Sequence, residues 1–150
     1  MKFATEPNHR PRLPQEAPWL RVVLVASCLA AIAATPWPWL HFALTHVFDE
    51  PGYRSRIGSL CALSCILVLL LTSLETRSRH TRSAVRPATA FVAAVTAGLL
   101  ALDAWQGPGH RAGLPLAWTE WFWFAFGCVV IASAVTALRM PRRRRLPPRA

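Results

Sequence analysis

Four long runs without a charged residue constrain this chain more than any other feature. The shortest run has 16 residues and the longest has 19. A helix needs about 20 residues to cross a ~30 Å hydrocarbon core, and each run reaches that length with its flanking residues. None alternates with the period of two that a barrel strand requires. The sequence therefore predicts an all-α integral membrane protein, a four-helix transmembrane bundle with approximate spans 19–40, 57–75, 87–105 and 118–138.

The charged residues lie in blocks between these runs. They make up 16% of the chain, against about 25% in a soluble domain. Apolar residues make up 53%, which excludes a disordered chain, and the four cysteines are too few and too deep in the runs for a disulfide-rich miniprotein. The chain divides into a Pro- and Arg-containing tail (1–18), a membrane domain (19–139) and a basic tail (140–150).

The positions of the basic residues predict the orientation in the membrane. Of 17 basic residues, 14 lie in the N-terminal segment up to Arg21, between spans 2 and 3, or after span 4. Cytoplasmic loops carry the excess of Lys and Arg, so both termini are expected in the cytoplasm. The ratio of 16 Arg to one Lys, with abundant Ala, favours a high-GC bacterial genome and hence the bacterial cytoplasmic membrane.

Aromatic residues support the same placement. Trp19 marks the inner end of span 1, and the other aromatic belt residues are expected at the outer membrane interface. These outer residues are Trp37, Trp39, Tyr53, Trp105, Trp118, Trp121 and Trp123. Span 1 is also compatible with a signal peptide, or with a lipobox at residues 25–28, but its apolar run continues past both places, so we expect it to remain uncleaved.

The segment after span 1 has an amphipathic pattern. Leu40, Leu44 and Val47 recur at helical spacing, and His41 and Thr45 lie on another face. We predict a short interfacial helix over 39–48 on the outer surface. A long tilted continuation of span 1 is the alternative.

Small residues recur every four positions in three of the spans. Such ridges let helices approach closely, which drives helix association in lipid. They could build the bundle itself or form a homodimer face, and the sequence leaves this choice open. Span 1 has one ridge, formed by Ala26, Ala30 and Ala34, and span 4 has one, formed by Cys128, Ala132 and Thr136. Span 3 has two adjacent ridges: Ala90, Ala94 and Gly98, and Ala93, Ala97 and Ala101.

Ionisable residues gather at the predicted outer face. A His and carboxylate cluster can bind a divalent metal or shuttle protons, but no HExxH or HxH motif is present, and loop residues at a membrane surface are usually only solvated. Asp103 is the most notable member because an acid just inside the interface needs a partner. Its candidate partners are Arg111, His110 and Glu120. The candidate outer-face polar cluster is His41, His46, Asp49, Asp103, His110 and Glu120.

Other reactive residues have simpler interpretations. Cys28, Cys61, Cys65 and Cys128 lie within the apolar runs, where small apolar packing is their expected role, and a soft metal such as Cu(I) is the alternative ligand. Glu75 at the inner end of span 2 is expected to pair with Arg77, Arg79 or Arg82. We therefore predict no catalytic residue, no cofactor and no metal ligand.

The basic C-terminal tail predicts contact with lipid. A basic cluster just inside a span attracts anionic head groups, and the residues concerned are Arg142, Arg143, Arg144 and Arg145. Their main role is the topology signal. The high net charge of +10 does not indicate nucleic-acid binding, because the excess lies in short segments beside the membrane.

Missing motifs narrow the function. The chain has no GxSxG, no P-loop and no Gly-rich nucleotide fingerprint, and no acid or His lies in the middle of a span. We expect a non-enzymatic accessory or assembly subunit in a larger membrane complex, or a self-associating protein. The alternatives are an oligomeric transporter of ions or small molecules, and a membrane enzyme or metal-binding protein that uses the outer-face polar cluster.

Overall fold

The computed structural model describes residues 17–42, 50–77, 82–111 and 114–140. The two predicted tails lie almost wholly outside these ranges. The helices are α1 (Pro18–Ala33), α2 (Arg56–Arg77), α3 (Arg82–Gln106) and α4 (Glu120–Leu138). The strands are β1 (Pro38–Phe42), β2 (Glu50–Pro51), β3 (His110–Arg111) and β4 (Leu114–Trp118), with a 3₁₀ helix at Gly52–Arg54.

The four helices alternate in direction. The strands follow α1 and α3 and precede α2 and α4, and they form one four-stranded sheet in the order β2-β1-β4-β3. Four helix ends therefore meet at the sheet, and the other four meet at the opposite end of the bundle. We call the first of these the sheet end. The other, which contains the starts of α1 and α3 and the ends of α2 and α4, is the arginine end, named for Arg21, Arg86 and Arg139. Helices α1 and α3 each pack against both α2 and α4, as in an up-down-up-down bundle.

In the part of the chain that the structure describes, three helices are long and apolar enough to cross a membrane: α2, α3 and α4. Helix α1 is apolar but has only 16 residues, or about 24 Å at the standard rise. The prediction of a mostly helical chain with four helices is confirmed. The predicted bounds of span 1 (19–40) are wrong, because the helix ends at Ala33. Pro36 and Pro38 cannot donate the N–H groups that a continuing helix needs.

The small sheet is a feature that the sequence did not predict. Residues 39–42 lie in strand β1 rather than in an interfacial helix, so that prediction is wrong there, and residues 43–49 lie outside the described part of the chain. Strand β1 pairs with β4 through Leu40 and Trp118. An extended segment can form its backbone hydrogen bonds with a partner strand that is distant in the sequence. The spacing of apolar residues within the segment does not reveal that partner.

Aromatic packing joins the sheet to the helices. Trp39 is fully buried at 0% exposure, and its indole N–H donates to the carbonyl of Ala34 at 2.9 Å. The edge of Trp39 contacts Phe122, and Trp118 stacks on Phe122 with the ring centres 4.1 Å apart. A Cβ added to Gly52 would lie 2.5 Å from the Trp39 ring. The buried Trp39 is thus part of the core rather than of the predicted belt.

Small residues build much of the helix packing. Ala31 in α1, Ala34 at its C-cap, and Ala125 and Ala132 in α4 are all buried, so short side chains contribute to the packing of these helices. Of the ridge predicted in span 1, Ala34 is buried, Ala30 is half-buried and Ala26 is exposed. The ridges predicted in α3 are divided in the same way. Ala90 and Ala93 are buried, whereas Ala94, Gly98 and Ala101 are exposed.

Candidate functional site

A buried carboxylate binds the helices together at the arginine end. The side chain of Glu75 near the end of α2 is 2% exposed. Arg86 of α3 donates its Nε–H to Oε1 of Glu75 at 2.7 Å, and Arg139 donates from Nη2 to Oε2 at 2.5 Å. Nη2 of Arg21 in α1 lies 4.0 Å from Oε1. We call Arg21, Arg86, Arg139 and Glu75 the arginine cluster.

Each member of the arginine cluster comes from a different part of the bundle. Arg21 lies in the first turn of α1 and Glu75 in the last turn of α2, and Arg86 lies in the second turn of α3. Arg139 is the C-cap of α4. Because the helices alternate in direction, these positions meet at one end. Every member is within about 6 Å of the end of its helix.

The cluster is closely packed inside and more exposed at one edge. The space between Glu75, Arg86, Thr89, Thr136 and Arg139 is too small for a water molecule. The side chain of Arg139 is 4% exposed, whereas those of Arg86 and Arg21 are 18% and 32% exposed. Burial strengthens the pairing of Arg139 with Glu75, and the edge formed by Arg21 and Arg86 faces outward.

Sequence reasoning missed most of this cluster. Glu75 was expected to pair with Arg77, Arg79 or Arg82, whose side chains lie outside the described part of the structure. Arg21, Arg86 and Arg139 were read only as orientation signals. One signal was available: Glu75 is the only acidic residue between Glu50 and Asp103 in the sequence, so several arginines had one acid to share.

The cysteines gather in the interior of the bundle. Cys28, Cys61 and Cys65 are buried, Cys128 is half-buried and all four are free thiols. The thiol of Cys65 interacts with those of Cys28 and Cys61, and Cys128 lies nearby. Three of them belong to the main apolar core. Their burial in the apolar core is compatible with the packing role that the sequence predicts for them.

The candidate outer-face polar cluster lies at the sheet end. His41 lies in β1, half-buried, and Asp103 lies in the last turns of α3, also half-buried. Glu120 is exposed at the start of α4. His46 and Asp49 lie outside the described residues, and of His110 only the backbone is described, in β3. Among the side chains that the structure describes, no group of three or more His, Cys, Asp or Glu residues could hold a metal ion.

An apolar cleft of about 350 Å³ lies between α2 and α3. Leu67, Phe91, Val95 and Leu99 form its walls, and Ser64 and Thr96 contribute hydroxyl groups. Thr96 donates its hydroxyl to the carbonyl of Val92. Leu67, Phe91, Val95 and Leu99 are exposed, so the cleft is open to the outside of the bundle.

Comparison with protein-family models, with curated proteins and with solved structures found no match to this chain.

Proposed function

We propose that this chain is a non-enzymatic, self-associating protein of the bacterial cytoplasmic membrane. All four helices cross or enter the bilayer, and the arginine end faces the cytoplasm. The distribution of basic residues supports this orientation. Large apolar side chains on the outside of the bundle, such as Val22, Leu63, Phe91 and Leu138, are more than 60% exposed, and such a surface suits lipid rather than water.

Gly98 is the observation that carries self-association. It lies in the middle of α3, where glycine costs about 1 kcal/mol relative to alanine. A Cβ added to Gly98 would meet no atom within 4 Å, so packing within this chain does not require glycine there. With Ala94 and Ala101 it forms a stripe of small residues on the exposed side of α3. A second helix packed closely against α3 would explain why glycine occurs at this position, because glycine lets two helices approach closely.

A second copy of the same chain is the simplest partner. The same stripe on two copies can face itself across a two-fold axis, which is the commonest arrangement of homo-oligomers. The proposal therefore is a homodimer in which the two α3 helices meet at Gly98.

Substitution of Gly98 by leucine tests this interface. We expect wild-type protein, purified from native membranes in mild detergent, to have twice the chain mass of 16.6 kDa. We expect Gly98→Leu to weaken dimerisation at least tenfold, or about 1.4 kcal/mol, because the new side chain separates the helices. Intact-complex mass measurement over a concentration series gives the dissociation constant.

Ala26→Leu is the matched control. Ala26 is also exposed, but it lies on α1, which packs on α2 and α4 and not beside the stripe. This variant should dimerise as wild type. A monomeric wild type, or equal behaviour of the two variants, would contradict the proposed interface. A stoichiometric foreign subunit would show an accessory protein of a larger complex instead.

A further inference from the structure

The α2–α3 cleft has the size and lining of a small-molecule site. Its volume of about 350 Å³ falls within the range of about 300–1,000 Å³ that ligand pockets occupy. Apart from Ser64 and Thr96 its lining is apolar, and the Thr96 hydroxyl already donates to a backbone carbonyl. The lining residues of α2, from Ile57 to Leu67, belong to the half of that helix nearer the sheet end. The cleft therefore suits an apolar group beside the sheet.

Asp103 lies on the cleft face of α3, toward the sheet end. It follows Thr96 by seven positions, Leu99 by four and Leu100 by three, and all three of these residues line the cleft. Residues at these spacings share one face of a helix. Asp103 is therefore about one turn, ~5.4 Å, beyond Leu99 along the axis of α3. It is half-buried, so an acid stands at one end of an apolar cleft.

The carboxyl group of Asp103 has no partner among the residues that the structure describes. It accepts no hydrogen bond and forms no ion pair there, and Arg56 at the start of the facing helix is exposed. The side chains of His110 and Arg111 lie outside the described part of the chain. A partly buried carboxylate is unfavourable without a partner, and an acid within a membrane span commonly marks a ligand or ion site. A cation at this end of the cleft would supply the missing charge.

The volume of the cleft limits the size of the ligand that carries this cation. At about 30 Å³ for each water-sized group, the cleft holds roughly a dozen heavy atoms. This is enough for one alkyl chain but not for the two chains of a phospholipid. The ligand that matches both the cleft and Asp103 is thus a single-chain amphipathic cation.

We propose that the α2–α3 cleft and Asp103 together bind a lipophilic amine, with its apolar chain between the helices and its ammonium group on the carboxylate of Asp103. The charge gives the specificity. An apolar chain gains little by leaving hydrocarbon for an apolar cleft, whereas an ammonium group donates a charge-assisted hydrogen bond to the carboxylate. This site goes beyond self-association and uses neither Ala94 nor Gly98, so a failure here leaves the Gly98 experiment standing.

A series of ligands with one tail and three head groups tests this site. The probes are dodecylamine, dodecanol and dodecanoate, added to the full-length protein in mild detergent, and intact mass measurement follows their binding. We expect the amine to bind at least tenfold more tightly than dodecanoate. Asp103→Asn should weaken binding of the amine about fivefold, the value of a partly exposed ion pair, ~1 kcal/mol, and leave binding of the alcohol unchanged. Comparing variants with the same probe cancels its partition into detergent micelles.

Three further variants complete the test. Glu120→Gln is the matched control, because it removes an exposed acid at the start of α4 that does not line the cleft, so the amine should bind as to wild type. Asp103→Glu keeps the charge and should keep most of the preference for the amine, and it serves as the test if Asp103→Asn does not fold. Ser64→Leu fills the cleft and should weaken binding of the amine and the alcohol alike.

Four results would overturn the proposal. Equal binding of the amine and dodecanoate would show that the cleft holds any acyl chain. Equal effects of Asp103→Asn and Glu120→Gln on the amine would show only a general effect of charge. Equal loss of the amine and the alcohol in Asp103→Asn would show that Asp103 only shapes the cleft. A change of dimerisation in Ser64→Leu, with binding of the amine unchanged, would identify a second copy of the chain as the occupant.

Discussion

Replacing Glu75 with glutamine is expected to destabilise the bundle by about 3 kcal/mol or more. Removing one partner of a buried ion pair leaves the other charge uncompensated, at a typical cost of 3–5 kcal/mol. Arg139 is the most buried of the three arginines, with a side chain that is 4% exposed, so it contributes most to this cost. Arg86 and Arg21 are more exposed and can turn toward water or lipid head groups, which favours the lower end of the range. Chemical unfolding of the purified protein in detergent measures the change.

Two comparisons isolate the role of this carboxylate. Glu120→Gln is the matched control, since Glu120 is exposed in the first turn of α4 and its charge there is worth no more than about 1 kcal/mol. The double variant Glu75→Gln with Arg139→Gln should lose less stability than the two single variants added together, because it removes the orphaned charge with its partner. If Glu75→Gln changes the free energy of unfolding no more than Glu120→Gln does, the cluster does not hold the helices together.

Trp39→Ala is expected to cost about 3–5 kcal/mol of stability. Truncating a fully buried tryptophan removes its apolar contacts and leaves a cavity. It also removes the hydrogen bond that the indole donates to Ala34 and the edge contact with Phe122. Since Trp39 lies where the sheet meets α1, α4 and the 3₁₀ helix at Gly52, its loss should loosen the whole sheet end. Unfolding in detergent and the near-ultraviolet circular dichroism of the aromatic cluster both report this change.

Trp105→Ala makes the same chemical change at a different place. Trp105 is 89% exposed near the end of α3, so its truncation should change stability by no more than about 0.5 kcal/mol. Similar losses in the two variants would show that Trp39 is an interface residue like Trp105, as the aromatic belt predicted, and not a core residue.

The helices could be predicted from the sequence because their signal is local. Uncharged runs located α2, α3 and α4 to within a few residues, although α3 begins at Arg82, earlier than its predicted start at residue 87. Pro36 and Pro38 are expected to kink or stop the helix of span 1, and the helix ends at Ala33, but the uncharged run extends the predicted span to residue 40. Hydropathy alone treats proline as one more uncharged residue and does not register its missing N–H.

The sheet and the arginine cluster could not be predicted because both depend on distant residues. Strand β1 pairs with β4, where Leu40 lies opposite Trp118. No residue near Leu40 in the sequence indicates that pairing. Glu75 and Arg139 are separated by 64 positions. Local charge pairing favoured the arginines next to Glu75 in sequence, whereas the alternating helix directions bring the ends of α1, α3 and α4 to it.

The small-residue ridges show how a correct pattern can leave its role open. Ala34 of the span 1 ridge, Ala90 of the span 3 ridge and Ala132 of the span 4 ridge are buried in the bundle. Ala26 and Gly98 belong to ridges with the same spacing but are exposed, and Gly98 has open space around it. Period and composition are the same in both cases, and only the packing of the other helices distinguishes an internal contact from an external one.

Orientation in the membrane is the claim on which the proposals depend most, and paired reporter fusions measure it directly. A phosphatase that is active only in the periplasm, fused after Ala150, should be inactive, and a fluorescent protein there should fluoresce. The same phosphatase fused after Gln106, at the sheet end of α3, should be active. The opposite result at both positions would place the arginine end outside the cell, and cytoplasmic behaviour at both would show that the bundle does not span the membrane.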